Sequence, residues 1–148
     1  MEKRLTWASI LVGVIVMGTT FIAGAQNKPS AETYKARLSP VPINVSMLST
    51  VAGTGSVTAV LTGKQLTISG TFEGMHSPAT SAQVHMGFRG IRGPAILDIT
   101  VSKAEKGNVE GTLELSPEQL EALRSSKLYV QIQSERAPEG NLWGWLLK

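Results

Sequence analysis

The sequence predicts an all-β, antiparallel domain, a sandwich or barrel, with one short crossover helix. Three observations predict it. Apolar residues recur with a period of two over most of the chain. Short turn signals separate the alternating runs, about eight of them, and no βαβ rhythm or fixed-period repeat is present. A single stretch, "SPEQLEALRSS" from Ser116 to Ser126, switches to helical spacing.

The first residues are set apart from the fold. "MEKRLTWASILVGVIVMGTTFIAGAQ" carries Lys3 and Arg4, an apolar run from Ile10 to Met17 and small residues at Ala23-Gly24-Ala25. That is the pattern of an export signal, residues 1–25, cleaved before Gln26. A retained membrane anchor is the alternative, but the apolar run is short beside the ~20 residues of a span. Cleavage leaves no stable membrane span and places the mature chain outside the cytoplasm, in a periplasm or the extracellular space. Residues 26–33, with Pro29, read as a flexible lead-in, and residues 34–148 as one domain.

The first strand is read at "YKARL", Tyr34 to Leu38, broken by the two prolines of "SPVP". "GSVTAVL" and "QLTISGTF", joined across Gly63-Lys64, form a hairpin with Val57, Ala59, Leu61, Leu66, Ile68 and Phe72 inward. "SAQVHM" turns Ala82, Val84 and Met86 inward and Ser81, Gln83 and His85 outward. "AILDITV" places Ala95, Leu97, Ile99 and Val101 inward, and "VEGTLEL" does the same with Val109, Leu113 and Leu115. In the helix, Ser116 is the N-cap, Pro117 the first position and Gln119 the partner in a capping box. Leu120 and Leu123 face the core. "LYVQIQ" turns Tyr129, Gln131 and Gln133 outward, and "APEGNLWGWLL" closes the chain.

Composition excludes several function classes. The chain has 148 residues and no cysteine, so it has no thiolate nucleophile, no haem-attachment motif and no cysteine-based metal site. The formal net charge of +3, one unit of which leaves with Glu2, Lys3 and Arg4, is too small to predict nucleic-acid binding. The glycines at 87, 90 and 93 lead into Pro94 and a strand, whereas phosphate loops end in a helix. His76 and His85 are the only histidines, fewer than a zinc or copper site usually uses. No G-x-S-x-G elbow appears, and Asp98, Glu110 and Glu114 read as solvated strand positions rather than a glycosidase pair. The expectation is therefore no catalytic residues, no metal and no cofactor.

The candidate binding residues lie on the polar side of the strands and in one loop. Trp143 and Trp145 share a face; if Leu142 and Leu146 fill the core, the tryptophans lie outside, as a hot spot for a partner or a platform for sugar rings. If the tryptophans fill the core instead, Gly144 relieves the crowding between them. Arg89 and Arg92, in the glycine-rich loop, are placed to meet a carboxylate or phosphate.

Read in order, "VAGTGSVTAVL", "AQVHMGFRGIRGPAILDITV", "GTLELSPEQLEALRSSKLYVQI" and "APEGNLWGWLL" resemble the chordin-type (CHRD) domain family over roughly Tyr34 to Lys148. The resemblance implies an immunoglobulin-like or superoxide-dismutase-like sandwich or Greek-key barrel in a secreted module. It also implies a His-x-His pair on the strand of His85 and a third histidine after "YV"; this chain has Gln83, His85 and Gln133 there. His85 is accordingly read as one polar residue of an outer surface shared with Gln83, Gln131 and Gln133. On that reading His85→Ala costs at most about 1 kcal/mol. The functional expectation is a non-catalytic exported module that binds a protein or glycan partner. The alternative, from members found beside cytochrome c or quinoprotein modules, is an accessory that docks to a periplasmic redox enzyme.

Overall fold

The computed structural model describes residues 28–148. The expected export signal, and the first two residues of the lead-in, lie outside them. The elements are β1 (Glu32–Pro40), β2 (Thr54–Thr62), β3 (Gln65–Glu73), β4 (Ala79–Met86), β5 (Ala95–Val101), β6 (Gly107–Glu114), α1 (Pro117–Arg124), β7 (Leu128–Ser134) and β8 (Ala137–Trp145). A short 3-10 turn covers Val45–Met47.

The strands close into an antiparallel barrel in the order β1-β2-β3-β6-β5-β4-β7-β8. Of the two architectures the alternation allows, the chain thus adopts the closed one. Two junctions are short: β5 meets β6 through Thr100↔Glu110 and Val101↔Val109, and β1 meets β8 through Ser39↔Trp143 and Pro40↔Leu142. Within the barrel, β4, β5 and β6 form a meander, and α1 carries the chain back so that β7 pairs with β4. That order, β7-β4-β5-β6, is a Greek key.

Alternation dictates what fills the barrel. Tyr34, Ala36 and Leu38 of β1, Val57, Ala59 and Leu61 of β2, and Leu66, Ile68 and Phe72 of β3 are all buried in one cluster. Leu128, Val130 and Ile132 of β7 and Leu142 of β8 join them from the other side. Each large apolar side chain removed from water contributes about 1.5–3 kcal/mol. The capping box forms as expected: Gln119 N–H donates to Ser116 Oγ (3.2 Å) and Ser116 N–H to Gln119 Oε1 (3.0 Å). Leu123 is buried and Leu120 packs against the same core.

Two local expectations need correction. β1 begins at Glu32, inside the expected lead-in, because Glu32 and Thr33 continue the pairing with Leu61 and Val60 of β2. Ala95 is exposed rather than inward. Val84 pairs with Leu97 but His85 pairs with Ala95, so a bulge skips Ile96 and breaks the inward alternation at the start of β5.

Glu32 also ties the ends of the domain together. Lys148 Nζ donates to Oε2 at 2.9 Å, Tyr34 Oη to the same oxygen at 2.9 Å, and Arg124 Nη2 to Oε1 at 3.1 Å. These donors, Lys148 foremost, then Tyr34 and Arg124, lower its pKa to about 2 from the ordinary 4.5. A depressed carboxylate stabilises the fold above its unfolded pKa, and that contribution is lost as pH falls through the folded one. The stability difference between wild type and Glu32→Gln is therefore expected to be constant above about pH 5 and to shrink between pH 4.5 and 2. Denaturant titrations at several pH values read it directly.

Candidate functional site

The outward positions of β4, β7 and β8 form one face. Gln83 and His85 project from β4, Tyr129, Gln131 and Gln133 from β7, and Asn141, Trp143 and Trp145 from β8, as the alternation requires. The expectation that this face is a solvated surface is corrected: every residue of β7 is buried. His85 is only 8% exposed, Gln131 and Gln133 are buried, and Trp143 is 7% exposed with Trp145 partly open. Two loops produce this burial. Val41 and Val51, from the segment between β1 and β2, pack with Tyr129, Ala137 and Trp143 in a second apolar cluster. The segment between β4 and β5, residues 87–94, lies over His85 and Tyr129.

Tyr129 is the centre of the covered face. Its ring stacks on His85 (centroids 5.0 Å, 20°), meets Trp145 at 4.5 Å and takes Trp143 edge-on at 5.7 Å. Its hydroxyl accepts from Gly93 N–H at 2.9 Å and donates to Gly93 O at 3.3 Å. His85 Nδ1 lies 2.9 Å from the same carbonyl. A carbonyl can only accept, so Nδ1 carries the proton in that bond. Nε2 is buried and, among the described residues, has no hydrogen-bond partner.

The glutamines bond to one another. Ser81 Oγ donates to Gln133 Oε1 (3.1 Å), Gln133 Nε2 to Gln83 Oε1 (3.1 Å) and Gln83 Nε2 to Asp98 Oδ1 (2.8 Å). Gln131 Nε2 donates to Glu139 O at 3.3 Å. The chain thus brings Gln83, His85 and Gln133 onto one covered face and ties the two amides to each other. His76, the other histidine, is exposed and contacts Ser49 O at 3.1 Å. Among the described residues no group of three His, Cys, Asp or Glu side chains is arranged to hold a metal ion.

Asn141 and Tyr129 are the residues that sequence reasoning undervalued. Buried Asn141 donates to Ser134 Oγ (2.9 Å) and accepts from Ala52 N–H (3.2 Å), which fastens the first covering loop to β8. For Tyr129, a large aromatic at an outward position, followed on the same face by Gln131 and Gln133, was the available signal, since tyrosine rings rarely stay wholly in water.

The arginines part company. Arg92 Nη1 donates to Glu139 O at 2.6 Å, bracing the second loop. Arg89 is exposed and lines a cleft of about 250 Å³ with Lys35, Arg37, Ser39 and Trp145. The loop itself is held firmly. Gly87 N–H donates to Lys127 O (2.8 Å), Met86 N–H to Pro94 O (3.0 Å), and Trp145 Nε1–H to Gly87 O (3.0 Å). Its tip is a tight turn in which Ile91 N–H donates to Phe88 O (2.9 Å) and Gly90 supplies the positive φ of 81°. On this braced turn Phe88 is 63% and Ile91 60% exposed. Lys127 Nζ lies 4.8 Å from the centre of the Phe88 ring.

Among the described residues no helix is long and apolar enough to cross a membrane. No curated protein and no solved structure matches the chain. A family model described as the CHRD domain matches residues 34–146, which takes in β1 from Tyr34 onward, the other seven strands and both covering loops. The chain belongs to the CHRD-domain family.

Proposed function

We propose that this CHRD-domain protein is an exported, non-catalytic binding module whose contact face is the pair of loops over β4, β7 and β8. One observation carries the reading. All the large exposed hydrophobic residues described, Ile43, Val45, Leu48, Phe88 and Ile91, fall in those two loops. The opposite sheet turns Thr67, Ser69, Thr71, Glu110 and Thr112 outward. Apolar residues held out on braced loops on one side of a small domain are the mark of a surface that something covers. A protein or glycan partner fits that face. Export is supported by Lys3-Arg4, the apolar run from Ile10 to Met17 and the Ala23-Gly24-Ala25 pattern.

Phe88→Ser combined with Ile91→Ser tests the reading. Both side chains are exposed, so stability is expected to change by no more than about 1 kcal/mol. Partners retained by immobilised wild-type protein from a native extract are expected to be lost on the double variant. Equal retention by both would remove the loops from the contact face.

A further inference from the structure

The seam between β1 and β8 is open in its middle. At one end Lys35 and Leu147 exchange backbone hydrogen bonds of 2.7 and 2.9 Å. At the other, Ser39 pairs with Trp143 and Pro40 with Leu142. Between these contacts the register brings Arg37 opposite Trp145, but no ladder pairing joins them. Gly144 lets the strands stay together beside the gap: a Cβ there would lie 2.4 Å from Arg37 O. The gap opens into the cleft lined by Lys35, Arg37, Ser39, Arg89 and Trp145.

The chemistry of the cleft is one-sided. Lys35, Arg37 and Arg89 are all exposed, and among the described residues none of them forms an ion pair. No carboxylate lines the cleft. Glu32, the acid of the described ion pairs, is occupied by Arg124 and Lys148. Trp145 contributes a ring and little else. Its N–H is already given to Gly87 O, and the ring is held against Tyr129 at 4.5 Å and Trp143 at 4.7 Å. What faces a ligand is therefore a fixed, partly exposed aromatic plate beside three unpaired cations. A sugar ring that lays an apolar C–H face on the aromatic and carries negative charge at its rim matches both halves at once. Trp143 also lines the cleft, but it is 7% exposed and stands at 68° to Trp145, so the two do not form the series of open faces that a stacked run of bases needs.

We propose that this cleft binds an acidic oligosaccharide, one sugar ring lying on Trp145 and its anionic groups held by Lys35, Arg37 and Arg89. The proposal rests on the reading of the domain as a binding module and names the ligand chemistry of a site beside the loop tips. Carboxylate and sulfate sugars share that chemistry.

The test is a titration of the full chain with tetragalacturonate and with a sulfated dextran fragment, followed by calorimetry. The fully methyl-esterified tetragalacturonate and tetraglutamate serve as controls. The charged sugars, or one of them, are expected to bind, with affinity falling as salt rises; the stronger binder assigns the anion. The neutral ester and the peptide are expected to bind at least about tenfold more weakly, and Arg37→Gln and Arg89→Gln each to weaken sugar binding about tenfold. Trp145→Leu, accepted only if it melts cooperatively, should do the same. Lys64→Gln, in the β2–β3 turn, should not. No binding of either sugar at millimolar concentration would overturn the proposal. So would equal binding of the ester or of tetraglutamate, or an equal loss in Lys64→Gln. The Phe88 and Ile91 double variant reads the loop face and leaves the cleft cations in place, so the two readings fail separately.

Discussion

Tyr129→Ala is expected to destabilise the domain by about 4 kcal/mol, and Tyr129→Phe by only about 1 kcal/mol. The two substitutions separate packing from hydrogen bonding. Tyr129 has no exposed surface, and its ring is the shared neighbour of His85, Trp143 and Trp145. Removing the ring leaves a cavity between the barrel wall and the loop above it, and three aromatic neighbours lose a partner. Removing the hydroxyl alone costs the links to Gly93 N–H and O and leaves the stack intact. Denaturant unfolding of the two variants measures both. If Tyr129→Ala proved as mild as a surface substitution, the covered face would not be a second core.

His85→Ala is expected to cost about 2 kcal/mol, more than the 1 kcal/mol or less that strand alternation alone suggests. The ring is buried against Tyr129, and Nδ1 holds the carbonyl of Gly93, which pins the second loop. His85→Phe is expected to be milder. It keeps the stack and also removes Nε2, whose burial without a partner is a cost of the native arrangement. The ordering Ala worse than Phe, read from midpoints of unfolding, is the expected result. A loss of 0.5 kcal/mol or less in both would return His85 to the class of surface residues.

The strands were legible because their signal is local. Val57 to Leu61, Leu66 to Phe72 and Leu128 to Ile132 alternate so regularly that the inward set of each can be read from the chain, and those residues fill the barrel. The cap of α1 was legible for the same reason, since Ser116 and Gln119 lie within one turn. The orientation of His85, Gln131 and Gln133 also followed from alternation, as did the sharing of one face by the tryptophans, though not which face that was. Their exposure did not. Which face is wet depends on what lies over it, and that is decided by Val41, Val51 and the fold of the 87–94 loop back over the sheet, whose partner Tyr129 lies 36 residues from Gly93. Period two says which side a residue takes and nothing about a second layer. The bulge that turns Ala95 outward is invisible for a related reason: it is a property of the pairing between two strands. The cleft was half visible. Arg89 and Trp145 stood out as candidates, but Lys35 and Arg37 join them only because β1 and β8 close the barrel with a gap.

The most direct test of this arrangement is the accessibility of the two tryptophans to acrylamide, measured in a Trp7→Phe background that leaves only Trp143 and Trp145. With Trp145→Phe added, Trp143 reports alone; with Trp143→Phe added, Trp145 does. A covered face with an open seam predicts that Trp143 is strongly protected and that Trp145 is quenched to an intermediate degree. Strong quenching of both, near that of free tryptophan, would contradict it and make the outer face of β8 an open surface.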